Sequence, residues 1–107
     1  MRMRNNLEID MSVATTILNQ LGGNKFRVMT GAKNFMDHGN ALSMRIGRNS
    51  SNSNYLKITL NDSDLYDVRF SKVTKMGEEK SVREFNDVYN DMLVEIFESL
   101  TGMYTSL

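Results

Sequence analysis

His38 is the one histidine of the chain and stands beside Asp37 in "FMDHGN", which makes it the first place to look for catalytic or zinc chemistry. An aspartate adjacent in sequence does not orient an imidazole as a dyad requires, and there is no second histidine and no cysteine to act as nucleophile or ligand. A polar loop residue is the expectation. Asp62 and Asp64 in "NDSD" sit two apart and could offer oxygens to a hard cation, but the glycine and terminal glutamate of an EF-hand loop are missing. Asn, Asp and Ser in such a cluster bond their own backbone, so a tight turn is expected there. "LGGNK" and "MTGAKN" pair glycine with lysine without the spacing of a phosphate-binding loop, and both are read as leading into strands, where no helix dipole is available. No catalytic residue, metal or cofactor is therefore expected, and the chain is not read as an enzyme.

Binding chemistry is better represented. The stretch "NYLKITLNDSDLYDVRFSKV", residues 54–73, alternates apolar and polar positions on either side of the "NDSD" turn. Leu56, Ile58, Leu60, Tyr66, Val68 and Phe70 share one face, and Lys57, Thr59, Asp67, Arg69 and Ser71 the other. With Arg27 and Arg45 from neighbouring strands and Lys72 at the end of the run, Arg27, Arg45, Lys57, Arg69 and Lys72 would form a basic open sheet face. Such a face could take single-stranded nucleic acid by backbone charge, although stacking platforms need exposed aromatics and Phe26, Tyr66 and Phe70 alternate inward. An acidic protein surface would fit the same charges.

The totals bound these readings. The 107 residues suffice for one domain with its own core, and 40% hydrophobic with 24% charged residues is an ordinary globular mixture. Thirteen basic residues balance thirteen acidic ones, so no general attraction to nucleic acid or anionic lipid follows from net charge. The distribution is uneven. From Asn24 to Lys80 ten basic residues face six acidic ones, and from Ser81 to Leu107 one faces five. The absence of cysteine removes any need for an oxidising compartment, no apolar run nears the roughly 18 residues that span a bilayer, and "MRMRNNLEIDM" lacks the apolar stretch of a signal peptide. A cytoplasmic location without membrane contact is expected.

The elements that must position these residues are read from periodicity. Residues 1–11 are expected to be a flexible leader and 12–107 a single domain. Met11, Ala14, Ile17, Leu18 and Leu21 predict a helix over 12–21, capped by Asp10 or Ser12 and closed by Gly22. Strands are predicted at 25–30, with Gly31 as a bulge or bend, and at 41–47, 54–60 and 65–73. "GRNSSNSN" and "TKMGEEKS" read as polar loops. Phe85, Val88, Tyr89, Met92, Leu93, Ile96, Phe97 and Leu100 fall at helical spacing and predict a C-terminal amphipathic helix. Gly102 would end it, and Met103, Tyr104 and Leu107 would fold back on the core. The expected fold is α+β in two layers, a four-stranded antiparallel meander with an N-terminal and a C-terminal helix on one face, in the order αββββα. Its two open edges leave a homodimer through a sheet edge open.

At "QLGGNKFRVMTGAKNF", "LSMRI", "NYLKITLNDSDLYDVRF" and "LTGMYTSL" the sequence resembles a recurrent group of uncharacterised small proteins of bacteriophages and other bacterial mobile elements. The likeness covers most of Ile17 to Leu107; the loop after Lys75 and the leader before Ser12 depart from it. It transfers no activity and no catalytic residue, and implies an accessory role inside a bacterial host cell. The expectation is a non-enzymatic phage or mobile-element accessory protein that binds a host or phage macromolecule, in the first place a protein, with single-stranded nucleic acid as the alternative partner.

Overall fold

The computed structural model describes residues 12–105, so the expected leader over 1–11, the Asp10 cap and the terminal Leu107 lie outside the described residues. Helix α1, Val13–Leu21, begins where Ser12 Oγ accepts the backbone N–H of Thr15 at 3.1 Å, satisfying one of the donors that a helix start leaves orphaned. Ala14, Ile17 and Leu21 form its buried stripe, and Gly22 closes it at φ 128°.

The strand expected at 25–30 is a helix, α2, Asn24–Thr30. Phe26 and Thr30, four apart, are buried, whereas Val28, which alternation had paired with Phe26, is 74% exposed. Positive-φ glycines bracket the segment: Gly23 leads into it, and Gly31 ends it as a left-handed cap rather than as a strand bulge. Thr30 Oγ1 donates to the Phe26 carbonyl at 2.7 Å and accepts from Ala32 N–H at 3.2 Å, fixing the exit into the sheet. "LGGNK" therefore opens a helix, not a strand, although one of only seven residues.

The sheet has five antiparallel strands instead of four, each paired with its neighbour in sequence: β1 Lys33–Asp37, β2 Ala41–Arg45, β3 Tyr55–Leu60, β4 Tyr66–Val73 and β5 Glu79–Val88. The meander expectation holds for β2, β3 and β4. Leu42, Met44, Leu56, Ile58, Tyr66, Val68 and Phe70 line one buried face, as their alternation requires. Asn61 builds the β3–β4 turn by accepting the backbone N–H groups of Ser63 at 2.8 Å and Leu65 at 3.2 Å.

The predicted C-terminal helix starts late. Phe85 and Val88 belong to β5, Asn90–Met92 form one 3₁₀ turn, and α3 spans only Leu93–Thr101. The extended Tyr89 separates the strand from the helical turn, so the helical spacing from Phe85 onward reflects two elements that happen to share a core. Gly102 ends α3 in the left-handed region, and a Cβ there would lie 2.8 Å from Ser50 Oγ, so glycine is required twice over. Met103 packs against the core as expected, but Tyr104 is 69% exposed.

All three helices cover the same sheet face, so the described residues form an α+β fold in two layers. Its centre is aromatic. The Phe97 ring lies 5.1 Å from Phe26 and 6.4 Å from Phe70, and Phe70 meets Phe85 edge-on at 6.4 Å. Among the described residues no helix is long and apolar enough to cross a membrane.

Two outcomes follow from this core. Phe97→Ala removes the ring that joins α2, α3 and β4, and should lower unfolding free energy by about 3–5 kcal/mol in urea denaturation. Burial pushes the Tyr66 hydroxyl above its usual 10.0, a hydrogen bond with Gln20 opposing in part. The folded state then keeps the phenol proton to higher pH than the unfolded chain. This contribution is complete below the unfolded pKa near 10.0 and is lost as pH rises from there through the raised folded value. The denaturation midpoint should fall across that alkaline window, and fall less in Tyr66→Phe.

Candidate functional site

The open face of the sheet is organised in rows by the strand register. Ser43, Lys57, Arg69 and Glu84 face one another across β2 to β5, and Arg45, Tyr55, Ser71 and Ser81 form the next row. Of the five basic residues expected on this face, Arg45, Lys57 and Arg69 are there. Arg27 is not, because α2 carries it to the helical side, where its guanidinium lies 5.7 Å from the Phe35 ring centroid. Lys72 is not there either: it continues the Tyr66, Val68, Phe70 parity and so belongs to the opposite face, beyond the end of the core.

The three that remain do not make a uniformly cationic surface. Arg69 Nη2 lies 3.1 Å from Glu79 Oε2, which also accepts the Ser71 hydroxyl at 2.7 Å. Among the described residues this is the one ion pair. Glu84 stands directly opposite Arg69 and Asp67 opposite Thr59, so acidic groups interleave with basic ones. Tyr55 is the single aromatic in these rows, which is too few for a ladder of stacked bases.

His38 Nε2 lies 2.8 Å from Ser43 Oγ, a spacing that a nucleophile and its base would share. Ser43 is 2% exposed, however, so no substrate carbonyl can reach it, and the imidazole serves as a polar cover on a small buried position. Asp62 and Asp64 are exposed in the turn that Asn61 organises, and among the described residues no group of three His, Cys, Asp or Glu side chains could hold a metal ion.

Two concavities lie elsewhere, and sequence reading located neither. One, of about 320 Å³, runs between β5 and α3 and is lined by Arg83, Phe85, Met92, Glu95, Ile96 and Leu100. Arg83 stacks its guanidinium 5.2 Å from the Phe85 ring centroid, and Met92 is 41% exposed at the rim. In "SVREF" the apolar Val82 and Phe85 stand three apart, so no strand alternation marks β5, and the helical spacing from Phe85 onward continues the same pattern. The other, of about 480 Å³, lies where the 46–54 loop meets the end of β4.

The Glu79 carboxylate should be separable into its two roles. Glu79→Gln keeps an acceptor for Ser71 and loses only a half-exposed ion pair, so its stability should stay within about 0.5 kcal/mol of the parent. Glu79→Ala leaves the Ser71 hydroxyl, 0% exposed, without that acceptor and should cost about 1–2 kcal/mol in urea denaturation. Compared with known proteins, the chain matches no family model, no curated protein and no solved structure.

Proposed function

We propose that the chain is a non-enzymatic binding protein, of the accessory kind that phages and mobile elements supply to the host cell, and that it engages a partner protein through the groove between β5 and α3. The resemblance of "QLGGNKFRVMTGAKNF" and "LTGMYTSL" to such proteins supports the origin. The groove supports the mode. It is a concavity in which apolar surface (Phe85, Met92, Ile96, Leu100) meets a cation, Arg83, that no carboxylate of the described residues, Glu95 of the same groove included, holds in an ion pair.

The edges are poorer docking sites. Pairing of β1 with β2 is irregular between Lys33 and Met36, where Asn34 has φ 57°, and pairing of β4 with β5 shifts twice. Bulges and charges at sheet edges oppose the addition of another strand, whether from a partner or from a second copy. The occupant that fits is an amphipathic segment of another protein, placing an apolar side chain against Phe85 and Ile96 and a carboxylate on Arg83. The flexible Met92 thioether adapts the rim to that side chain.

Selection from a displayed library of random peptides tests this. Bound peptides should share an apolar anchor with a nearby acidic residue, compete with one another, and lose at least about tenfold in affinity on Arg83→Glu, the loss expected of one charge-assisted contact. They should lose affinity also on Met92→Glu, which replaces an apolar rim contact with a repelling carboxylate. Lys57→Glu should leave them unaffected. Peptides that ignore the groove variants yet fail on Lys57→Glu would overturn the assignment, as would a library yielding no binder. Salt-dependent capture of a single-stranded oligonucleotide abolished by Arg45→Glu would replace it with nucleic-acid binding on the open face.

A further inference from the structure

The second concavity has a different chemistry. Arg48 and Lys72 stand at it, Asn49, Asn52 and Asn54 supply amides and Ser53 a hydroxyl, and no carboxylate is among its lining residues. Its wall is preformed. Asn49 Nδ2 donates to the Gly47 carbonyl at 2.7 Å and to the Ser53 carbonyl at 2.8 Å, drawing the loop into a closed arc. Asn54 fastens that arc to β4 by donating to the Val73 carbonyl at 2.9 Å and accepting the Val73 N–H at 2.7 Å. Ser50 N–H donates to the Thr101 carbonyl at 2.9 Å, anchoring the far side of the loop on α3.

The charge at the mouth is unbalanced. Lys72 Nζ donates to Asn52 Oδ1 at 3.2 Å, which holds the ammonium at the cavity with its other two N–H groups left over. Directly opposite Lys72 on β5 stands Lys80, and cross-strand partners share a face, so two like charges are juxtaposed where an opposite pair would stabilise the sheet. The neighbouring carboxylate of Glu79 cannot relieve them, because strand parity turns it to the other face, where Arg69 and Ser71 hold it.

We propose that this cavity binds the phosphoryl group of a small phosphorylated molecule of about mononucleotide size, with Arg48 and Lys72 as direct ligands and Lys80 reinforcing the field. A volume of about 480 Å³ is in the range of small-molecule sites. Arginine's fork and lysine's point charge are the two side chains suited to phosphate oxygens, and an anion here removes the repulsion between Lys72 and Lys80. The site is separate from the β5–α3 groove and stands or falls independently of it.

Amide chemical-shift titration at low ionic strength decides the matter, using inorganic phosphate, pyrophosphate, a nucleoside monophosphate, the uncharged nucleoside and a single-stranded oligonucleotide as probes. Pyrophosphate and the monophosphate should give saturable shifts confined to residues 47–54 and 72–73, and the nucleoside none. Lys72→Gln should weaken them by about tenfold, the loss expected of one charged hydrogen bond. Lys80→Gln should raise the thermal midpoint of the free protein while reducing the increment that phosphate adds to it. Shifts that chloride reproduces, or that persist in the Arg48→Gln, Lys72→Gln double variant, would overturn the proposal. So would an oligonucleotide whose shifts spread across Arg45 and Lys57 and exceed those of the monophosphate at equal phosphate concentration.

Discussion

Contact of one phenylalanine with two others determines where everything else stands. Phe97, on α3, touches Phe26 from α2 and Phe70 from β4, and all three are at most 1% exposed. Neither helix could hold its position on propensity. A seven-residue α2 and a nine-residue α3 are below the length at which isolated helices persist in water, so their stability is the burial of those rings. The consequences reach both concavities. The place of α3 defines the width of the groove beside β5, and Thr101 at its end holds the loop that walls the second cavity.

Around that core the polar surface is arranged to neutralise itself on one face and to leave charge on the other. Glu79 and Lys80 are adjacent in sequence, yet the pleat sends one toward Arg69 and Ser71 and the other toward Lys72. A balance of thirteen charges of each sign therefore conceals a local segregation that no total reveals. The open face, which carries most of the strand charges, is the less polarised of the two.

What was legible in the sequence was what short-range rules govern. Period-two alternation located β2, β3 and β4, Asn61 marked their turn, and Ser12 and Gly102 marked helix ends, because each of those signals acts within a few residues. In Asn24–Thr30 the residues Phe26 and Val28 satisfy alternation, and it is the exposure of Val28 between the buried Phe26 and Thr30 that distinguishes helical from strand spacing. Residues 85–93 failed the other way, a strand and a helix aligning their buried residues in one apparent stripe. Lys72 ends a run whose other charges face outward, yet its even parity with Phe70 puts it on the inward side. The neutralisation of Arg69 is not readable from the sequence: its partner Glu79 lies ten residues on, across a hairpin whose second strand carries no clean alternation.

The irregularity at Val82 bears on how such a molecule meets others. Phe70 pairs with Arg83 and Ser71 with Ser81, so Val82 is the extra residue, and the ladder on either side keeps the facing it would have had without it. Register is thus not what the insertion supplies. It bends the outermost described strand and interrupts its row of free backbone groups, which is how natural sheets discourage a further strand from joining. With β1 broken similarly beside Asn34, the sheet ends in two blunted edges. Backbone pairing is thus discouraged at both ends of the sheet, and the groove beside β5 and the cavity at the 46–54 loop present side chains instead.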